Sequence, residues 1–129
     1  MNLVRIASPH VPISVNKAYR NATATERAKG RKGRIKTKDH ATWYNAFAWD
    51  VKAAMVRQNA IKGAYEICIT IDRMKRHPLA DVENMSKVCV DALVSLGVIE
   101  EDRFCERLTI QWGSAQGGVL VELRPFVAL

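Results

Sequence analysis

The chain is short of several things, and each shortage narrows what it can be. Cysteine occurs three times, at Cys68, Cys89 and Cys105. That spacing fits no CxxC or Cys/His zinc pattern, and an odd count does not make a disulfide framework. Reduced, buried thiols are expected instead. No apolar run approaches the roughly 18 residues that a membrane-spanning helix needs. Residues Met1 to Ile6 lack the apolar core of a signal peptide, which points to a cytoplasmic chain with no membrane partner. Acids are also scarce, 13 Asp and Glu against 20 Lys and Arg, for a net charge of +7. Such an excess favours an anionic partner, nucleic acid or an anionic surface. There is no internal repeat and no linker to split the chain, so residues 1–129 read as one domain. A chain of this size buries about two-thirds of its unfolded surface and needs no disulfide or structural metal to hold it.

The few acids are concentrated. Asp81, Glu83, Asp91, Glu100, Glu101 and Asp102 fall in one stretch of an otherwise basic sequence. Like charges so crowded are costly unless a cation lies among them, and a divalent metal is the natural one. The spacing predicts a helix over 82–96 whose core face carries Met85, Val88, Cys89, Ala92, Leu93 and Leu96. Gly97 suits its end. Glu83, Lys87 and Asp91 then line the opposite side at i, i+4 and i+8. Asp81 at the helix start and Glu83 in its first turn both gain from the positive end of the helix dipole. Asp102 follows on a short loop, and if that loop folds back, three carboxylates converge. Ligands of oxygen alone suit Mg²⁺ or Mn²⁺. Such ions polarise a scissile phosphate and lower the pKa of an attacking water. Lys87 is then positioned to neutralise charge developing on the phosphoryl oxygens. The simpler reading stays open on charge pattern alone: Asp81 as an N-cap, Glu83–Lys87–Asp91 as surface pairs, and Glu100–Asp102 as a solvated turn.

The rest of the chain reads as β-loop-α-β-α-β-β, an α+β domain with two main helices on one small mixed sheet. Residues 2–8 form a first strand, broken by a rigid extended loop at Pro9 to Asn16. Residues 20–38 hold little apolar side chain and many cations, Arg27, Lys29, Arg31, Lys32, Arg34, Lys36 and Lys38, so a mobile basic loop is expected. Its glycines would let it follow a phosphate backbone. Thr37 or Asp39 caps a long helix to about Asn59, with His40, Trp43, Tyr44, Phe47, Val51, Ala54 and Met55 as its apolar stripe. Residues 65–73 alternate as a strand. A second basic run, Arg73, Lys75 and Arg76, precedes the acidic helix and would guide phosphate toward it. Asn16 and Tyr19 either hold a sugar-phosphate or fix their loop, and His77 lies near enough to the acids to touch phosphate. Trp43, Trp49 and Trp112 read as core or dimer interface. The last two strands, about 105–112 and 118–124, are expected to form an antiparallel hairpin across Gly-Ser-Ala-Gln-Gly-Gly.

The pattern Asp-x-Glu-Asn-x-x-Lys-x-x-x-Asp-Ala-Leu from Asp81 to Leu93, then Gly97-Val98-Ile99, then Glu101-Asp102, resembles the RusA-type Holliday junction resolvases. Their usual form is Asp-x-Asp-Asn-x-x-Lys, then Asp-Ala-Leu, a glycine and a pair of acids. Pro12-Ile13-Ser14-Val15-Asn16 with Tyr19-Arg20 is similar to that family's Pro-Pro-Ser-x-Asn loop, and the likeness runs over most of the chain. The resemblance implies a homodimeric, Mg²⁺-dependent endodeoxyribonuclease that makes paired nicks in four-way DNA junctions during recombination and repair. It implies Asp81, Glu83 and Asp102 as metal-binding acids and Lys87 as the essential lysine. On charge and placement, Asn16, Tyr19, Arg20, Arg27, Lys29, Arg31, Lys32, Arg34, Lys36, Arg73, Lys75 and Arg76 are the expected DNA contacts. Two departures stand out: Glu83 replaces the usual Asp, and Glu101 replaces the first acid of the pair, leaving Glu101 as the alternative ligand to Asp102. A non-catalytic DNA-binding module of the same fold is the rival expectation. Two opposed cuts in a two-fold junction call for two sites, which an isologous dimer supplies.

Overall fold

The structure, a computed structural model, describes residues 2–31, 33–76 and 82–128. In chain order its elements are β1 (Val4–Ser8), α1 (Val15–Ala18), β2 (Tyr19–Asn21), α2 (Ala24–Ala28), β3 (Arg34–Lys36), α3 (Lys38–Met55), β4 (Tyr65–Asp72), α4 (Glu83–Ser95), β5 (Cys105–Gly113) and β6 (Val119–Pro125). The fold is α+β, as the pattern of elements predicts. A four-stranded mixed sheet has the order β1-β6-β4-β5, with β4 and β5 parallel and the other pairs antiparallel. In register, Val4, Ile6, Leu123, Val121, Ile67, Ile69, Leu108 and Ile110 share one face of the sheet. The core forms between that face and the apolar sides of α3 and α4. Burying it is the main favourable term in folding.

The two long helices form where their periodicity places them. Thr37 caps α3 by accepting from the His40 N–H, and His40, Trp43, Phe47, Ala48 and Val51 are buried. The helix stops at Met55, short of Asn59, because Gln58 turns back. Its amide donates to the carbonyls of Ala54 and Arg5 and accepts from the Arg5 N–H at 2.8 Å. Gln58 thus ends α3 and occupies the outer edge of β1 at Arg5. Trp49 is 78% exposed and is not core. Helix α4 ends in a complete Schellman motif. The Val98 N–H reaches the Leu93 carbonyl and the Gly97 N–H the Val94 carbonyl, with Gly97 at φ +77°.

Two expectations are overturned. The final strands are not a hairpin, because β4 lies between β5 and β6. Strand β4 has Ile67, Ile69, Thr70, Ile71 and Asp72 all buried, so it takes the central position. The glycine-rich linker passes across its end instead of making a tight turn. Buried Asp72 holds that linker: Oδ2 accepts from the N–H groups of Gly117 at 2.6 Å and Ala115 at 3.2 Å, and Oδ1 from Met74 at 2.8 Å. Gly118 is required for close approach, since a Cβ there would fall 1.8 Å from the Ser8 carbonyl oxygen.

Residues 20–38 are likewise not a structureless loop. Helix α2 has a full capping box between Thr23 and Glu26, and β2 pairs with β3 from Tyr19↔Lys36 to Asn21↔Arg34. Low apolar content is compensated by polar bonding. The Arg20 guanidinium grips the Glu26 carboxylate through two bonds, at 2.7 and 2.8 Å, and Arg27 donates to the Ala22 carbonyl. The Pro9–Asn16 loop also closes into α1, which packs on α3 and α4.

The hydrogen bonds from Gly117 and Met74 hold the Asp72 carboxyl below its ordinary value. A depressed folded pKa contributes stability that is present above the unfolded pKa and is lost as the pH falls through the folded one. Asp72→Asn is therefore expected to melt below wild type at pH 7, with the gap closing below about pH 4. Gly118→Ala should cost about 3 kcal/mol or more, because the new methyl meets backbone. Thermal melts of both variants across pH check this, and an Asp72→Asn gap that does not narrow in acid refutes the clamp.

Candidate functional site

The acidic helix and the segment after it are brought together by a parallel crossover. Strand β4 leads through the turn at Arg73–Lys75 and on to α4, and the chain returns to β5 beside β4. The return is pinned at several points. The Ile61 N–H bonds the Val98 carbonyl, and Ile61 and Ile99 form a parallel bridge. Glu100 accepts the Gly63 N–H at 2.6 Å, which makes it a structural residue. Glu101 is ion-paired with Arg103. A single 3₁₀ turn, Asp102–Phe104, then leads into β5. The buried Tyr65 hydroxyl donates to the Asp102 carbonyl at 3.4 Å, and burial pushes that phenol up to about 12.

This route sets Asp102 beside the outer face of α4. Ser86, Lys87, Val90 and Asp91 of the helix face Asp102, Cys105 and Leu108 across a shallow groove of about 230 Å³. Lys87 Nζ lies 3.5 Å from Asp91 Oδ2, and both side chains remain solvent-accessible. Among the expected site residues, the groove therefore unites Lys87 and Asp102. Glu83 occupies the first turn of α4, one turn before Lys87, and does not line the groove. Asp81 and His77 lie outside the described residues, so the predicted convergence of Asp81, Glu83 and Asp102 falls partly beyond them. Among the described residues no three potential metal ligands come together. Glu101 is held by Arg103, and Asp102 is the acid of the pair that reaches the groove. Asp91 and Cys105 also line it. Asp91 is marked in the sequence twice, by its i,i+4 spacing to Lys87 and by its place in the motif from Asp81 to Leu93, whereas nothing in the sequence marks Cys105.

The expected DNA-contacting residues divide into two kinds. Arg20, Arg27 and Arg31 brace the 20–38 segment, Arg31 at 3.7 Å from Glu26. The Arg20 hydrogen bonds, followed by the Thr23 N–H, hold the Glu26 carboxyl well below the usual range. Arg34 lies 5.9 Å above the Tyr19 ring. Lys29 and Lys36 are exposed and make no ion pair among the described residues, and Lys32 lies outside them. Asn16 is exposed on α1, and Tyr19 is half-buried against His40. Arg73, Lys75 and Arg76 are exposed around the turn after β4, with Arg76 over the Trp112 ring at 5.5 Å.

The basic segment and the groove share a neighbour. His40 is buried among Tyr19, Trp43 and Tyr44. Its imidazole is pushed down first by burial and then by Lys36, with Asp91 opposing. Lys36 of the basic segment and Asp91 of the groove thus lie within electrostatic reach of one side chain. His40 is a packing residue, as its place in the apolar stripe of α3 predicts.

No protein-family model matches the chain, and a search of curated proteins returns no significant relative.

Proposed function

We propose that the chain is a Mg²⁺-dependent, structure-selective endodeoxyribonuclease of the RusA type, acting as a homodimer on four-way DNA junctions. The observation that supports it most is the groove itself. The motif lysine on α4 and the acid far along the chain at Asp102 line one open cleft, in a protein of net charge +7. Oxygen donors beside an exposed ammonium, on a shallow cleft, fit phosphodiester hydrolysis better than they fit a small-molecule pocket.

The chemistry of the donors suits a hard cation, and Asp81, Glu83 and Asp102 would hold it, with Asp91 as a further carboxylate beside them. When bound, Mg²⁺ supplies charge neutralisation of the phosphate and a more acidic water. The chain's own residues do the rest. Lys87 stabilises negative charge on the non-bridging phosphate oxygens, and Asp91 holds its ammonium at the cleft. Lys29, Lys36, Arg73 and Lys75 attract and orient the DNA backbone, a sequence-independent and salt-sensitive interaction.

Asp102→Asn should abolish cleavage of a Mg²⁺-supplied synthetic junction while junction binding survives. Lys87→Ala should lower the single-turnover rate by on the order of a hundredfold, the scale for removing one charge-stabilising donor. Wild-type rates for Asp102→Asn would sink the assignment of the groove. On the binding side, replacing Lys29, Lys36 and Lys38 together by Ala should weaken DNA binding without lowering the melting temperature. For every phosphate that these lysines neutralise, the slope of log affinity against log salt should become shallower by about 0.9 in the triple variant. Arg20→Ala should behave differently, lowering the melting temperature as α2 loses its bridge to β2.

A further inference from the structure

We propose that strand β5 is the dimerisation element, pairing antiparallel with β5 of a second copy to make one continuous eight-stranded sheet. The inference deepens the two-fold reading given above by naming the surface, and its test reads association and not cleavage.

Strand β5 is an edge strand nine residues long, hydrogen-bonded to β4 on one side only. Native edges are ordinarily protected, because a row of free N–H and C=O groups is a template for another strand. The β1 edge is protected, by the Gln58 amide on Arg5. The outer side of β5 has no such plug among the described residues. Its side chains are also unusually apolar for a free edge: Leu108 is 46% exposed, and Ile110 and Trp112 are only partly covered.

The strand is complementary to itself. A register shift between Tyr65 and Glu66 leaves Glu106 as the extra residue of a bulge, so the regular ladder runs from Arg107 to Gly113. Antiparallel self-pairing of that ladder has its two-fold axis at Ile110. On the face shared with the helices, Ile110 then meets its own copy and Leu108 meets Trp112 of the copy. On the other face, Thr109 meets Gln111. Arg107 stands opposite Gly113, so no like charges face each other, which is the arrangement cross-strand pairing requires. A ladder of this length supplies roughly seven main-chain hydrogen bonds, within the range of a whole standard interface. Because the axis is perpendicular to the sheet, both grooves face the same side. Leu108 lines the groove two residues from the axis, about 7 Å along the strand. The two sites therefore flank the seam.

Sedimentation velocity on the full chain between 1 and about 100 μM, without DNA or metal, is the first test, and a dimer is expected. Two double variants then probe the register. Thr109→Lys with Gln111→Lys sets lysine against lysine across the seam twice, and should weaken association at least tenfold. Thr109→Lys with Gln111→Glu sets opposite charges at the same two places, and should restore it. Both variants remove the same Gln111–Thr70 hydrogen bond, so a folding defect affects them equally. As an independent measurement, Ile110→Cys should form a symmetric disulfide on mild oxidation, since cross-strand partners lie within disulfide reach. Leu108→Cys should not. A monomer at 100 μM overturns the proposal. So does a dimer that both double variants leave equally strong or weaken equally, and so does crosslinking through Leu108→Cys in place of Ile110→Cys. Loss of nuclease activity in any of these proteins bears on the function proposed above and not on this interface.

Discussion

Parallel pairing of β4 with β5 is the constraint from which the rest of the molecule is arranged. Parallel neighbours cannot be joined by a tight turn and need a crossover, and here the crossover is α4. Helix α4 must therefore lie across the sheet with Val88, Cys89, Ala92 and Leu93 inward. Its outward residues then fall beside the start of β5, where the returning chain delivers Asp102. Had β5 and β6 formed a hairpin, β5 would have lain apart from the helix and Lys87 from Asp102. The Asp72 clamp on the 114–118 linker is what lets β6 return on the far side of β4 without an unsatisfied end.

The two faces of the sheet are put to different uses. One is the core wall. The other is left open and carries cross-strand charge pairs: Arg5 to Glu122 at 3.5 Å, and Glu66 to Arg124 and Arg107 at 2.7 and 3.3 Å. Pairs so exposed contribute little stability each. Their effect is to keep the uncovered face hydrophilic. Lys29 and Lys36, which make no ion pair among the described residues, stand on the β2–α2–β3 segment, whose arginines are occupied in holding its shape. Positive charge is thus presented by a braced element, not by a free tail.

Much of this is legible in the residues. The 3.6-residue periodicity of α3 and α4, the Thr37 cap, the Gly97 terminator and the alternation of β4 all act within a few residues of chain, and each element forms where they indicate. Strand order is not legible, because it depends on which strand buries most of its length, and a glycine-rich linker looks alike whether it turns tightly or passes close to backbone. The order of residues 20–38 is hidden for another reason. A two-bond Arg20–Glu26 bridge and a capping box leave no trace in hydropathy. In the site, Lys87, Asp91 and Asp102 are all marked by their motif, whereas the place of Cys105 across from the helix emerges only once β5 lies next to α4. Trp49 reads as core or dimer interface because aromatic residues default there, and its place on the solvent side of α3 removes the first of these.

The Gln58 amide on Arg5 has a consequence for how large an assembly of this chain can grow. A sheet with two bare edges has a valence of two, and strand addition at both ends builds an unlimited ribbon. With β1 plugged, the sheet has a valence of one, and addition stops after a single step. In the dimer proposed above, one glutamine, placed just past the end of a helix, would thereby separate a finite, symmetric pair from a fibre.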